Sequence, residues 1–143
     1  MRKIRRFIIM LLISLSLFGI TACQIGEENM NTNNNTNINT LGYEQINAKE
    51  AKEIMDSGVD HIIIDARTEE EFASGHIEGA ILIPEYEIAQ RAEQEIPDKD
   101  ALILVYCRSG RRSKIACEEL VKLGYTNVKE FGGIIDWQYE IVK

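Results

Sequence analysis

From about residue 41 onward, apolar residues come in short blocks whose spacing alternates between strand and helix periods. Tyr43 to Ile46 is a brief strand candidate. Asn47, with Glu50 three places on, is a capping box opening a helix to about Ser57, which Gly58 stops. His61 to Asp65 (HIIID) is a buried strand ending in a carboxylate. A second capping box, Thr68 with Glu71, opens a short helix to about Ser74. Ala80 to Ile83 is a strand that Pro84 ends, and Glu85 to Glu95 reads as a helix with Ile88, Ala92 and Ile96 four apart. After a turn over Pro97 to Asp100 comes Ala101 to Tyr106, an apolar run too short for a typical helix. Arg111 to Leu123 is then a helix with Ala116, Leu120 and Leu123 on one face and Gly124 as its terminator. Asn127 to Phe131 is a strand, Gly132-Gly133 a loop, and Ile134 to Val142 a final helix. Strands alternating with helices predict an α/β fold, a mainly parallel sheet with helices on both faces. In such sheets ligands bind beyond the carboxyl ends of the strands, where the residues after Tyr106 lie.

The N-terminal 40 residues do not follow this pattern. Arg2, Lys3, Arg5 and Arg6 precede an apolar run from Phe7 to Phe18, and Ile20-Thr21-Ala22 lead into Cys23. This is the layout of a secretory signal, and the run is short for a transmembrane helix. Ile-Thr-Ala-Cys resembles the lipobox of bacterial lipoproteins, which implies cleavage before Cys23 and acylation of that cysteine. An ordinary signal peptide or an uncleaved anchor is the alternative. Two or more acyl chains hold a protein firmly at a membrane surface, whereas one does so only marginally.

Charge sharpens this picture. The whole chain carries −7, and without residues 1–22 the balance is 12 Lys and Arg against 23 Asp and Glu, or −11. Nucleic acid and anionic lipid would both repel such a chain, so acyl chains and not charge must hold it at a membrane. Residues 24–40 contain seven asparagines and three threonines with few apolar groups, a composition that builds no core. As a random-coil tether they would reach roughly 20–25 Å. The expected organisation is a signal over 1–22, an acylated cysteine and tether over 23–40, and a single domain over 41–143.

The candidate chemistry sits where the apolar run ends. Cys107 falls between a buried strand and the start of a helix, facing free backbone N–H groups and the positive end of the helix dipole. Arg108, Arg111 and Arg112 add positive charge. Each effect favours thiolate over thiol, and the thiolate is the nucleophile. Ser113 stands six places after Cys107, with Arg112 five places after it. In tyrosine-phosphatase-type loops the arginine stands six places after the cysteine. A shorter loop makes a tighter cradle, suited to one added sulfur atom more than to a phosphoryl group.

Cys107-Arg108-Ser109-Gly110-Arg111-Arg112-Ser113 resembles the active loop of the rhodanese family of sulfurtransferases. Asp65-Ala66-Arg67 through Phe72, then Gly75-His76-Ile77, Gly79-Ala80 and Pro84, is similar to the family's upstream signature, and Gly132-Gly133 with Trp137 to its C-terminal one. The resemblance implies a single rhodanese-like α/β domain working through a cysteine persulfide on Cys107. A small sulfur donor such as thiosulfate and a thiophilic acceptor (cyanide, a thiol or sulfite) would be its partners, with no metal, nucleotide or organic cofactor and a monomeric domain. A non-enzymatic module that holds persulfide or a sulfur anion is a competing reading. A phosphatase or arsenate reductase on the same scaffold is a third, against which the short loop argues.

Around Cys107, the expected donor-binding set is Arg108, Ser109, Gly110, Arg111, Arg112 and Ser113, with Arg112 favoured among the arginines. Basic residues at a helix N-terminus oppose its dipole by a few tenths of a kcal/mol, which argues against a decorative role. Gly110 allows a turn or close approach that a Cβ would block. Ser109 and Ser113 offer hydroxyls, and helix capping is a rival role for Ser113. Asp65 and Arg67 read as a structural ion pair, and His76 as a turn residue in preference to a base. Cys117, two turns into the helix among Ala116, Leu120 and Val121, reads as a buried thiol and not a resolving one. Trp137 is expected to pack under the last helix.

Overall fold

The computed structural model describes residues 42–143. The signal, Cys23 and the tether expected over residues 1–40 lie outside the described residues. Among the described residues no helix is long and apolar enough to cross a membrane.

Five strands form one sheet in which every pairing is parallel: β1 (Glu44–Gln45), β2 (Ile62–Asp65), β3 (Ala80–Leu82), β4 (Ile103–Cys107) and β5 (Val128–Gly133), in the order β1-β5-β4-β2-β3. Parallel neighbours require crossovers, and helices α1 (Ala48–Asp56), α2 (Glu69–Ser74), α3 (Ile88–Glu95) and α4 (Arg111–Lys122) provide them. Both helices announced by capping boxes begin there. The Glu50 amide donates to Asn47 Oδ1 at 2.9 Å and the Asn47 amide to Glu50 Oε2 at 2.8 Å, and Thr68 with Glu71 repeats the reciprocal pair at 3.3 and 3.1 Å.

Central strand β4 is buried along its whole length, and its side chains alternate between two cores. Ile103, Val105 and Cys107 point to the side of α3 and α4, among Ile88, Ala92, Ala116, Cys117 and Leu120. Leu104 and Tyr106 point the other way, toward Ala51, Ile77 and Phe131, with Trp137 packed against them. Burying each Leu- or Ile-sized side chain is worth about 1.5–3 kcal/mol, so both faces commit the strand to the middle of the sheet.

Three expectations need correction. No final helix spans Ile134 to Val142. A single 3₁₀ turn over Ile134–Asp136 is followed by irregular chain, and Val142 bridges antiparallel to His76 through amide–carbonyl bonds of 2.8 and 2.9 Å. The segment starts after a glycine that offers no side-chain cap and is rich in β-branched and aromatic residues, which have low helix propensity. Its apolar side chains Ile134 and Trp137 are spent on the core beneath the sheet. The helix expected from Glu85 begins as a 3₁₀ turn over Glu85–Glu87, and its α-helical part is α3 alone. Gly132-Gly133 is not a loop but the end of β5. Val105 pairs with Glu130 and Cys107 with Gly133, so two steps along β4 face three along β5, a bulge beside the cysteine.

Candidate active site

β4 ends on Cys107 and α4 starts at Arg111, so Arg108, Ser109 and Gly110 must reverse the chain in very little space. Gly110 does so with φ +91°, a left-handed conformation that a side chain would strain, and serves as the N-cap of α4. The turn folds back over the sulfur. The Gly110 amide donates to Cys107 Sγ at 3.1 Å, and Cys107 itself is only 1% exposed. Burial pushes its thiol up. Against this, the Ser113 hydroxyl and amide, then the amides of Ser109 and Gly110, favour the anion and hold the thiol below the ordinary cysteine value. A pocket of donors and a helix N-terminus around one sulfur has the character of an anion site, with Cys107 at its base as the candidate nucleophile.

The loop rests on β5. A Cβ built on Gly133 would stand 2.2 Å from the Arg108 carbonyl oxygen and 2.5 Å from Ser109 Cα, so this glycine exists to let the loop lie against the strand. The Arg108 carbonyl in turn accepts from the Ile135 amide at 3.3 Å.

Residues 47–140 match the sequence model of the rhodanese-like domain. The chain belongs to the rhodanese-like family. Thiosulfate sulfurtransferase PspE of Escherichia coli (strain K12) is 42% identical over 73 residues, covering 51% of this chain and 70% of that protein. A sulfurtransferase of Allochromatium vinosum is 44% identical over 79 residues, covering 54% of this chain and 72% of that one. Among solved structures, an E. coli rhodanese described with anions superposes with a TM-score of 0.55 at 40% identity, covering 58% of this chain and 98% of that chain. A rhodanese-related protein of Thermoplasma volcanium gives a TM-score of 0.60 at 32% identity, covering 70% and 98%.

Within this rhodanese-like domain the loop residues do not all do the same thing. Arg108, Ser109 and Arg111 are exposed at the rim, while Gly110 and Ser113 are buried in the cradle. Arg112, the arginine favoured for the donor, is already occupied. Its Nη1 and Nη2 donate to the two oxygens of Glu71 at 2.6 and 2.8 Å, tying α4 to α2. Its charge is favoured first by Glu71 and also by the Cys107 sulfur, so it acts on that sulfur as a fixed field. Direct contact with a donor through that fork would require Glu71 to let go, which leaves the rim to Arg108 and Arg111. Ser113 is not the cap of α4, since Gly110 holds that place. Its Oγ lies 2.6 Å from Glu130 Oε1 and 3.1 Å from the Gly110 carbonyl.

Asp65 and Arg67 form a buried two-point ion pair, with Nη2–Oδ2 at 2.6 Å and Nε–Oδ1 at 2.9 Å. Tyr106 donates to the same carboxylate at 2.6 Å and accepts from the Ile77 amide at 3.1 Å. Burial, then the Asp65 charge, pushes that phenol far up, so it stays a neutral donor. His76 stacks on Phe72 with centroids 3.7 Å apart and bonds the Phe72 carbonyl through Nδ1 at 3.1 Å, an arrangement that fixes the turn. Cys107 and Cys117 are both free thiols. Burial, then the negative charge of Glu130, pushes Cys117 well up, which makes it inert beside Cys107.

Two residues that hold the loop were absent from the expected set. Glu71 is legible in the sequence only as a helix cap, and its second partner stands 41 positions away. Glu130 shares the α4-facing side of β5 with Val128, a parity that places its carboxylate inside, 3% exposed.

The Glu71–Arg112 pair has a pH signature. The arginine, more than the opposing effect of burial, draws the Glu71 carboxyl from 4.5 to about 2. A carboxyl depressed in the folded state binds more protons when unfolded. The pair's stabilisation is therefore complete above pH 4.5 and is lost as pH falls toward 2. Because both partners keep some solvent contact, its worth at neutral pH is on the order of 1 kcal/mol. Glu71→Gln should lower the urea midpoint at pH 7 and flatten the acid limb of stability between pH 4.5 and 2. An unchanged acid limb would mean that the pair contributes nothing.

Proposed function

We propose that this rhodanese-like protein is a sulfurtransferase that carries a sulfane sulfur from a donor such as thiosulfate to a thiophilic acceptor on Cys107. The observation that supports this most is the sulfur's own surroundings: a buried thiol that, against the effect of burial, the Ser113 side chain and the amides of Ser113, Ser109 and Gly110 hold below its usual range. In the first half-reaction the Cys107 thiolate attacks the outer sulfur of thiosulfate. A new S–S bond forms, the S–S bond of the donor breaks, and sulfite leaves with the electron pair. The terminal sulfur of the resulting persulfide keeps the negative charge, which the same amides are placed to stabilise. An acceptor such as cyanide then attacks the terminal sulfur, leaves as thiocyanate, and returns Cys107 as thiolate. No net oxidation occurs, and the two half-reactions predict ping-pong kinetics. Exposed Arg108 and Arg111 at the rim meet the donor's anionic end. Cys23 would place the domain at the extracytoplasmic face of a bacterial membrane through its acyl chains.

The test is an intact mass after incubation of the chain with thiosulfate. One added sulfur, about 32 Da, should appear on Cys107 and be discharged by cyanide. Sulfur taken up once and released to no acceptor would favour a module that holds sulfur without turning it over. No uptake would end the reading.

A further inference from the structure

Free positive charge is scarce in this acidic domain, and it is gathered in one place. Among the described residues, only Arg108, Arg111, Lys114 and Lys143 stand outside the ion pairs that engage the other lysines and arginines. Three of these four adjoin the Cys107 loop. Arg108 is in the loop itself, and Arg111 and Lys114 are in the first turn of α4. All three are exposed and therefore charged at neutral pH.

Apolar side chains are exposed at the same end of the sheet. Tyr86 at 65% and Ile135 at 64% are the most exposed large apolar residues among those described. Like Cys107, each comes at the carboxyl end of a strand. Tyr86 lies in the 3₁₀ turn after β3, which packs against α4, and Ile135 follows β5 with its amide on the Arg108 carbonyl. The strand order puts Cys107 between them, on a face three strand spacings wide, roughly 14 Å. Exposed apolar residues scattered singly are ordinary, but here they flank one opening together with the unpaired cations. A thiosulfate ion is only a few Å across and can meet the cations without reaching both flanks. Tyrosine and arginine are also the residue types in which protein interfaces are enriched.

We propose that this face docks a partner protein, which takes the sulfur onto a cysteine set among acidic and apolar side chains. The proposal rests on Cys107 carrying the sulfur and names the class of acceptor. Charge complementarity selects this occupant. A second copy of the domain, docked through the same face, would set these cations against themselves, and a lipid surface offers anions but no thiol. Once docked, the partner's thiolate attacks the outer sulfur of the Cys107 persulfide. A new S–S bond forms on the partner, the bond from the outer sulfur to Sγ breaks, and its electron pair returns Cys107 to thiolate. The partner leaves as the persulfide with no net oxidation, so the step needs no further reagent.

The experiment loads the chain with thiosulfate and follows discharge by intact mass. Its acceptors are a short cysteine peptide flanked by glutamate and leucine, the same peptide with lysine for glutamate, and cyanide. Corrected for the thiolate fraction of each peptide, the acidic one should discharge the sulfur about tenfold faster at low salt, an advantage that shrinks as salt rises. Lys114 and Tyr86 lie outside the loop. Lys114→Glu and Tyr86→Ser should each slow the acidic peptide about fivefold and leave discharge to cyanide unchanged. Equal rates for the two peptides, or variants that leave the acidic peptide's rate where it was, overturn the proposal. A loss shared with cyanide does so too, because it places these residues in the chemistry or the fold. Binding to phosphatidylserine vesicles that depends on Lys114, without any peptide preference, would give the face to a membrane instead. A dimer that Tyr86→Ser disperses would give it to a second copy. A wild-type chain that never loads sulfur refutes the sulfurtransferase reading and this proposal with it, a result visible before any acceptor is added.

Discussion

Cys107→Ser should lose sulfur loading by at least about a thousandfold, to the level of no detectable added mass. A serine hydroxyl in the same place keeps the amides of Ser109, Gly110 and Ser113 as neighbours, but those donors favour an anion that already exists more than they create one. They hold a thiol below its ordinary value, and a hydroxyl starts so much higher that the same help leaves it protonated. No other thiol among the described residues can take over. Cys117 is fully buried, is pushed well up, and lies on the inner face of α4. The substitution is close to isosteric, so the urea midpoint should move by less than about 1 kcal/mol in stability terms, which separates lost chemistry from lost fold. The readout is thiocyanate formed from thiosulfate and cyanide, with the intact mass as the check. Full turnover by Cys107→Ser would remove the nucleophile from the mechanism.

The legible parts of the chain are those whose cause is local. Asn47 with Glu50, and Thr68 with Glu71, name their own partners three residues away, so both helix starts could be read directly. β4 is legible because a strand buried on both faces has no polar residue to blur it. Cys107 is legible because the end of that strand and the start of α4 fall within a few residues of each other. What the sequence obscured depends on distant contacts. Arg112 looks like a free cation until α2 is packed beside it and Glu71 is found at its fork. Ile134 to Val142 has apolar residues at helical spacing, yet the pairing of Val142 with His76 and the burial of Trp137 against Phe131 settle it as irregular chain. The bulge between β4 and β5 inserts one residue into the pairing, and no local pattern in KEFGG announces it. That bulge turns two glycines from a loop into the floor of the site.

Gly133→Ala tests that floor, and its expected effect is the second largest. The residue has φ −130°, ordinary extended backbone that any amino acid adopts, so conformational strain plays no part. What forbids a side chain is space. The added Cβ would stand 2.2 Å from the Arg108 oxygen and 2.6 Å from its carbonyl carbon, and these are backbone atoms that cannot rotate aside. The loop must lift from β5 or the strand must retreat, at about 1–3 kcal/mol of stability. Either movement carries the Ser109 and Gly110 amides away from the sulfur they now face. A displacement near 1 Å in such a site is worth about a hundredfold in rate. Gly110→Ala provides the contrast. Its φ of +91° strains an alanine by about 1–2 kcal/mol, but the nearest atom to its Cβ is 3.6 Å away, so the loop keeps its seat. Urea denaturation and thiosulfate loading of both variants separate the two causes. Comparable stability losses with a much larger activity loss in Gly133→Ala are expected, because only that substitution moves the donors off the Cys107 sulfur. Equal retention of activity in both would mean that the loop does not depend on its contact with β5.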